Sequence, residues 1–337
     1  MLAGLYLCTP EIGGVPVNSA AYISNFAQHI ENYIQFKCSI GYSESSYRVR
    51  MKQFDRFCAL HFPDADSVSE EIVRKWSRLW NGESENNRIQ RMVALKGLLD
   101  YLNASSIRTY AIPQGWIRKL RPSMPYLYST GELESFFQGA DTLPASWRSK
   151  LREFIAPVIF RMHFCCGLRP QETVALRRRD VDLEAGTLYI ADSKAHKDRL
   201  VPMSQDLCGL CRKYDALMSR QFPGREYFFQ RTVENMPVTA EWQGDLFRSC
   251  AKHAGMDFPD RAWPRVYDFR HNFATYVIRK WIREGKNVST MLPCLSGYMG
   301  HASLNATAYY IHLVPEHLTD TGLTAWGCMP EVPDYED

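Results

Sequence analysis

Four stretches in the first third of the chain repeat their apolar residues at the three- and four-residue intervals of an amphipathic helix. They run over residues 21–36, 43–62, 67–80 and 84–102. In the second, Tyr47, Met51, Phe54, Phe57 and Cys58 share one stripe; in the fourth, Ile89, Met92, Leu95 and Leu98 do. The third opens on Ser69 followed by Glu70 and Glu71, a capping pattern that ends a loop and starts a helix. These elements predict an all-helical module over residues 21–111, behind an unpatterned N-terminal extension of residues 1–20. Between residues 112 and 126 the period is lost. Pro113, Pro122 and Pro125 stand there among Arg118, Lys119 and Arg121, which predicts an extended basic linker with the domain boundary near residue 122.

Beyond the linker the helical period returns at Ser129 and Thr130, with Glu132 and Glu134 in the first turn, where the helix dipole favours acids. A strongly apolar helix over residues 151–166 should stop at Gly167, with another starting near Pro170. Two β-rich runs, TLYIA at 187–191 and RLVPM at 199–203, flank the polar residues 192–198 and read as a hairpin. Helices are then expected from Gln205 and over 241–254, 268–283, 292–299 and 305–313. The second domain is therefore residues 127–313, mostly α with a small antiparallel β-sheet, and residues 314–337 form a C-terminal segment with an acidic tail.

At 337 residues the chain exceeds what a single ordinary core serves, in keeping with two domains. The net charge of +3 is small, but its distribution is not even. Residues 1–122 hold 15 basic against 11 acidic side chains, residues 123–310 hold 25 against 20, and residues 311–337 hold none against six. Two basic bodies and an acidic tail suit a DNA partner better than the total suggests. Arg48, Arg50, Lys52, Arg88, Arg91 and Lys96 in the helical module, with Arg118, Lys119 and Arg121 in the linker, are candidate phosphate contacts; a solvated face is an equally good reading of any one of them. The N-terminus lacks a basic region ahead of an unbroken apolar run, and no stretch reaches the 18 apolar residues of a membrane span, so a cytoplasmic protein is expected. Ten cysteines are scattered without a disulfide pattern. Cys208 and Cys211 could form half of a zinc site, but no second pair stands at matching spacing, so neither metal nor cofactor is expected.

Four separated segments carry the candidate chemistry: GLRPQE at 167–172, SKAHKDRLVP at 193–202, YDFRHNFAT at 267–275 and GHASLNATAYY at 300–310. In this order and spacing they resemble the tyrosine recombinase/integrase family across the whole second domain. The helical module in front resembles that family's core-binding domain, less specifically. The resemblance implies a two-domain, C-shaped clamp that closes around duplex DNA, with a helical core-binding domain and a catalytic domain. It implies that Arg169 and Arg270 hold the scissile phosphate, that Glu172 supports the first arginine, and that Lys194 is the general acid for the leaving 5′ oxygen. His301 matches the next box and Tyr310, nine residues later, matches the nucleophile. Tyr309 adjoins Tyr310, about 100° away on a helix, and His196 and Lys197 compete with Lys194. The partners implied are a double-stranded recombination site, a homotetramer assembled on it, and accessory recombinases or directionality factors. The runs LSGYMGH and AYYIHL look closest to recombinases of bacterial transposons and genomic islands, which favours integration or excision of a mobile element.

The set makes sense on physical grounds as well. Phosphoryl transfer gathers charge on non-bridging oxygens, which planar guanidiniums hold bidentately. A tyrosine nucleophile keeps the bond energy as a phosphotyrosine for religation. One position departs from the family: Tyr267 stands where a histidine is usual. A phenol donates a hydrogen bond but cannot carry imidazolium charge, so cleavage should be slower or differently dependent on pH. His271 follows the arginine, where helix geometry points it the wrong way for a simple replacement. Two other classes remain open on the residues alone: a type IB topoisomerase-like enzyme that relaxes DNA, and a catalytically silent DNA-binding regulator. The apolar positions after Tyr310 fit a helix packed either on its own domain or on a neighbouring protomer.

Overall fold

The computed structural model describes residues 22–120, 124–193, 197–231, 235–258 and 263–314. The chain divides into two compact units, Met1–Pro122 and Ser123–Asp337. The N-terminal extension, Arg121, Lys194, His196 and the segment after Val314 lie outside the described residues.

The first unit is built from α1 (Ala27–Ser39), α2 (Glu44–His61), α3 (Glu70–Trp76) and α4 (Glu85–Ala104). Serine starts the last two: Ser69 Oγ accepts from Ile72 N–H and Ser84 Oγ from Asn87 N–H. One core, with Ile30, Tyr33, Phe54, Trp76, Leu95 and Leu99 fully buried, joins all four helices. Helix α1 starts six residues later than the periodicity predicts. The buried carboxylate of Asp55 on α2 takes the backbone N–H groups of Ile23 and Ser24 and the Ser24 hydroxyl, which holds that segment out of the helix.

The second unit runs α5 (Thr130–Asp141), α6 (Arg152–Cys166), α7 (Pro170–Ala175), β1 (Val181–Asp182), β2 (Thr187–Ser193), β3 (Lys197–Pro202), α8 (Gln205–Gln221), α9 (Ala240–His253), α10 (Asp268–Arg283), α11 (Val288–Met299) and α12 (Leu304–Ala308), with a 3₁₀ turn over Tyr309–Leu313. Ser129 and Glu132 form a reciprocal capping box at the start of α5. The main core packs α5, α6, α8 and α9 around the sheet, with Phe136, Phe160, Phe247 and Phe269 in mutual aromatic contact. A satellite cluster closes α10, α11 and the 3₁₀ turn around Ile278, Leu295, Met299 and Tyr310.

The sheet is antiparallel in the order β1-β2-β3. The two-residue strand β1 has too little sequence pattern to be anticipated, and the hairpin strands extend further toward their turn than TLYIA and RLVPM, with β3 ending at Pro202. Leu188 pairs with Val201 and Ile190 with Arg199, so the alternation of the strands puts Arg199 and Val201 on the buried face and leaves Leu200 outside. Helix α11 begins four residues before its expected start, because Asn287 caps it by accepting from Thr290 N–H and the helix absorbs Pro293. The single helix expected over 305–313 is a short α-helix that tightens into the 3₁₀ turn at the two tyrosines. Cys208 and Cys211 are buried in α8, and the Cys208 thiol donates to the Leu183 carbonyl.

Candidate active site

Gly167 ends α6 in the left-handed conformation, with φ of 59°, and a Cβ there would fall 2.5 Å from the Phe273 ring. Only glycine fits both restrictions, and the sharp turn delivers Arg169 directly in front of α7. The turn is held from behind. His163, fully buried in α6, bonds the Leu168 carbonyl through Nδ1 at 3.0 Å, and its Nε2 meets Gln243 and Thr173, each at 3.2 Å. Burial lowers the His163 imidazole to about 4, so it is neutral and its Nδ1–H donates to the carbonyl.

The Arg169 guanidinium donates to Glu172 Oε1 and to the Gly300 carbonyl, both at 2.8 Å. Glu172 Oε2 accepts the Arg169 backbone N–H, and Arg199 on β3 donates one bond to each oxygen of the same carboxylate at 2.8 Å. Burial pushes the Glu172 carboxyl up. The Arg199 bonds and charge, the Arg169 backbone bond and the Arg270 charge outweigh it and bring it down to about 2. Arg270, on the first turn of α10, is fully buried and donates to the carbonyls of Gly167 and Met299. Arg199 Nε donates to the Tyr298 carbonyl at 3.0 Å.

Three consecutive carbonyls at the end of α11, those of Tyr298, Met299 and Gly300, thus receive three different arginines, 199, 270 and 169. A helix leaves its last carbonyls without partners and carries partial negative charge there, so cations are favoured at that end. Gly300 closes the helix with φ of 65°, and the His301 N–H turns back to the Ser296 carbonyl.

His301 leaves this turn with its Nδ1 at 2.7 Å from the buried Thr307 hydroxyl and its ring parallel to Tyr310, centroids 6.1 Å apart. Burial, then the charges of Arg270, Arg169 and Arg199, lower the imidazole to about 3. Tyr310 is 3% exposed, and its ring also meets Tyr309 at 5.8 Å and His271 at 5.6 Å. His271 in turn touches Tyr267 at 5.0 Å. The sequence expectation is that His271 points the wrong way to replace a histidine at 267, and its ring lies against Tyr310, beside Tyr267 and not in its place. Four residues make slightly more than one helical turn, so Tyr267 and His271 share a stripe, and that stripe faces Tyr310. Burial, then Arg265 and Arg270, lowers His271 to about 3.

The structure brings Arg169, Glu172, Tyr267, Arg270, His301 and Tyr310 into one cluster; Lys194 lies outside the described residues. Sequence reasoning missed Arg199, His163 and Thr307. Arg199 was legible in part, since strand alternation in RLVPM places it on the same face as Val201. His163 and Thr307 left no signal, because their partners stand in other segments or across a turn.

Several of the candidate phosphate contacts in the first unit are paired. Arg48 binds Glu31 and Glu44, Arg88 binds Glu85, Lys96 binds Asp100, and Arg50 donates to Gln90. Arg91 corrects the list of candidate phosphate contacts. It is 3% exposed, pairs with Glu83, and lies over the rings of Trp76 and Trp80 at 4.5 and 3.9 Å, so it fastens the end of α3 from within. Arg118 and Lys119 are exposed and Lys52 is half-buried. Among the described residues no helix is long and apolar enough to cross a membrane, and no group of three or more His, Cys, Asp or Glu could hold a metal ion.

Residues 129–317 match the phage integrase family. The chain is similar to "Putative integrase/recombinase y4rB" of Sinorhizobium fredii, 27% identical over 304 residues that cover 87% of this chain and 95% of that protein. It is also similar to a tyrosine recombinase of Pseudothermotoga lettingae, 25% identical over 74% of this chain and 79% of the relative. Among solved structures, the XerH site-specific recombinase bound to palindromic difH substrate superposes with a TM-score of 0.64 at 18% identity, covering 89% of this chain and 96% of that one. The Tn1549 transposon integrase with transposon right end DNA gives 0.59 at 15%, covering 84% and 94%. The family match spans more than half of the chain, and with it this protein belongs to the phage integrase family of tyrosine recombinases.

Proposed function

We propose that the protein is a site-specific DNA recombinase that cuts and rejoins duplex DNA through a phosphotyrosine on Tyr310, in the integration or excision of a mobile element. The observation that carries the reading is the convergence of Arg169 and Arg270 on adjacent carbonyls beside the Tyr310 and His301 rings. In cleavage the Tyr310 oxygen gives up its proton to water and forms a bond to the scissile phosphorus while the bond from phosphorus to the 5′ oxygen breaks. Lys194 returns a proton to that oxygen. The charge that builds on the non-bridging oxygens is met by the two guanidiniums, with His301 and Tyr267 as neutral donors. Rejoining is the same transfer in reverse by an incoming 5′ hydroxyl, so the bond energy is kept.

Side-chain movement is part of this cycle, because Arg270 and Tyr310 are buried whereas Arg169 keeps 15% of its side chain exposed to meet a phosphate first. Surface pairs of the first unit, Arg48 with Glu31 and Glu44, Arg88 with Glu85 and Lys96 with Asp100, are weak enough to exchange for phosphates, and Arg50, Lys52 and the linker residues Arg118, Lys119 and Arg121 would add further contacts. Strand exchange between two duplexes takes four active sites, hence a homotetramer on DNA in the cytoplasm, with accessory recombinases or directionality factors setting the outcome.

The test uses duplexes selected from a random pool by binding and then nicked at successive positions, so that the short 5′ fragment diffuses away and traps the covalent complex. Wild-type protein should yield a phosphotyrosine adduct and Tyr310→Phe none. An adduct that survives Tyr310→Phe, or none from wild type, overturns the mechanism. Relaxation of supercoiled plasmid without recombinant product would assign the topoisomerase-like activity instead.

A further inference from the structure

Resting on the recombinase reading, we infer that Arg199 is a positioning residue for phosphoryl transfer, the strut that aims Arg169 at the scissile phosphate. It sits on β3, on the buried face of the hairpin, with 8% of its side chain exposed and with Nε and both Nη atoms bonded inside the protein. Its guanidinium spans two catalytic segments. Both Nη atoms hold Glu172, the carboxylate that also fixes Arg169, and Nε holds the Tyr298 carbonyl one residue before the carbonyl that Arg270 uses. Each oxygen of Glu172 accepts two bonds, one from Arg169 and one from Arg199, so the carboxylate has no remaining direction in which to turn. Gly300 keeps the fit close, since a Cβ there would lie 3.2 Å from Arg199 Cδ. Remove Arg199 and Glu172 keeps only Arg169, free to rotate with it, while the Tyr298 carbonyl loses its donor.

The strut needs a guanidinium. A lysine is a point donor and cannot bridge both carboxylate oxygens and a carbonyl at once. Groups that orient a first-contact ligand from behind cost about 10- to 100-fold in activity when lost, as outer groups behind metal ligands do. Loss of Arg199 should act on the step in which the phosphate gains charge and leave the ground-state grip on DNA alone.

The experiment compares single-turnover adduct formation at saturating DNA for wild type, Arg199→Gln, Arg199→Lys and Arg169→Gln, with melting temperature and DNA affinity measured in parallel. Each protein is given the nicked duplex and the same duplex carrying a neutral methylphosphonate at the scissile position, located from the wild-type adduct. We expect Arg199→Gln to slow the phosphate reaction about 10- to 100-fold with affinity within about twofold. Arg199→Lys should recover little of this, and the deficit of both should shrink on the methylphosphonate, as for Arg169→Gln, because that centre has less anionic charge to stabilise. Equal losses on the two substrates mean a merely structural residue and overturn the inference, and so do wild-type rates for both variants. Should Arg199→Gln fail to fold, the charge-retaining Arg199→Lys gives the same comparison. An absent wild-type adduct would instead overturn the recombinase reading, and this inference with it.

Discussion

Tyr267 is the residue at which this chain departs from its family, and its surroundings change what the departure costs. Read from the sequence, the loss is that of an imidazolium charge beside the phosphate. In the structure the two histidines nearest Tyr310, His271 and His301, are both driven to about 3 by burial and by the surrounding arginines, so this site disfavours imidazolium charge. A histidine at 267 would meet Arg270 and Arg265 as His271 does, and so would donate as a neutral ring, much like the phenol, until the pH falls or a phosphate brings compensating charge. The scissile phosphate brings that compensating charge when DNA is bound, so we expect Tyr267→His to raise the cleavage rate, with the ratio of variant to parent growing as pH falls from 8 to 6. Single-turnover adduct formation across that range checks this. A ratio that stays at one would mean that the phenol fully replaces the usual histidine.

At the scale of elements, the arginines that look alike in sequence divide by the helix end they serve. The end of α11 gathers Arg169, Arg199 and Arg270, and the end of α3 takes Arg91 through the Trp76 carbonyl. Arg91 is the anchor of a buried pair under two indole rings, and breaking such a pair from one side strands the other charge. Arg91→Leu should therefore destabilise the first unit by about 3 kcal/mol, read by urea unfolding, while the salt dependence of DNA binding stays as it was. A stable variant whose log–log salt slope drops by about one would put Arg91 on a phosphate after all. The sequence offers Arg91 as a candidate because it lies among the basic residues of the helical module; only the fold shows it covered by Trp76, Trp80 and Glu83.

Across the whole molecule the buried histidines tie stability to pH. His163, His271 and His301 are neutral in the folded chain down to about 4, 3 and 3, whereas an unfolded histidine takes up its proton near 6.5. The folded values lie below the unfolded one, so their contribution is complete above pH 6.5 and is lost as pH falls toward 4. At pH 5.5 each should cost about 1 kcal/mol. Glu172, held at about 2 against 4.5, adds its own loss as pH falls from 4.5 toward 2. Denaturant midpoints at pH 7.5 and 5.5 check the prediction, and His163→Gln should flatten the difference in part. No change between the two pH values would mean that these rings are already charged in the folded protein.

The sequence by itself determined the helical periods, the serine cap at residue 69, the helix start at Ser129, the turn at Gly167, the hairpin and the order of the four motif segments. These depend on neighbours a few residues apart, and local spacing records such neighbours faithfully. Only the tertiary structure decided which polar groups face one another: Arg199 with Glu172, Arg91 with Glu83, His271 with Tyr310 and His163 with Gln243. Those partners are 27, 8, 39 and 80 residues apart. A buried polar group is tolerated only once such a partner arrives, and the partner's identity is set by how helices and strands pack rather than by the residues on either side.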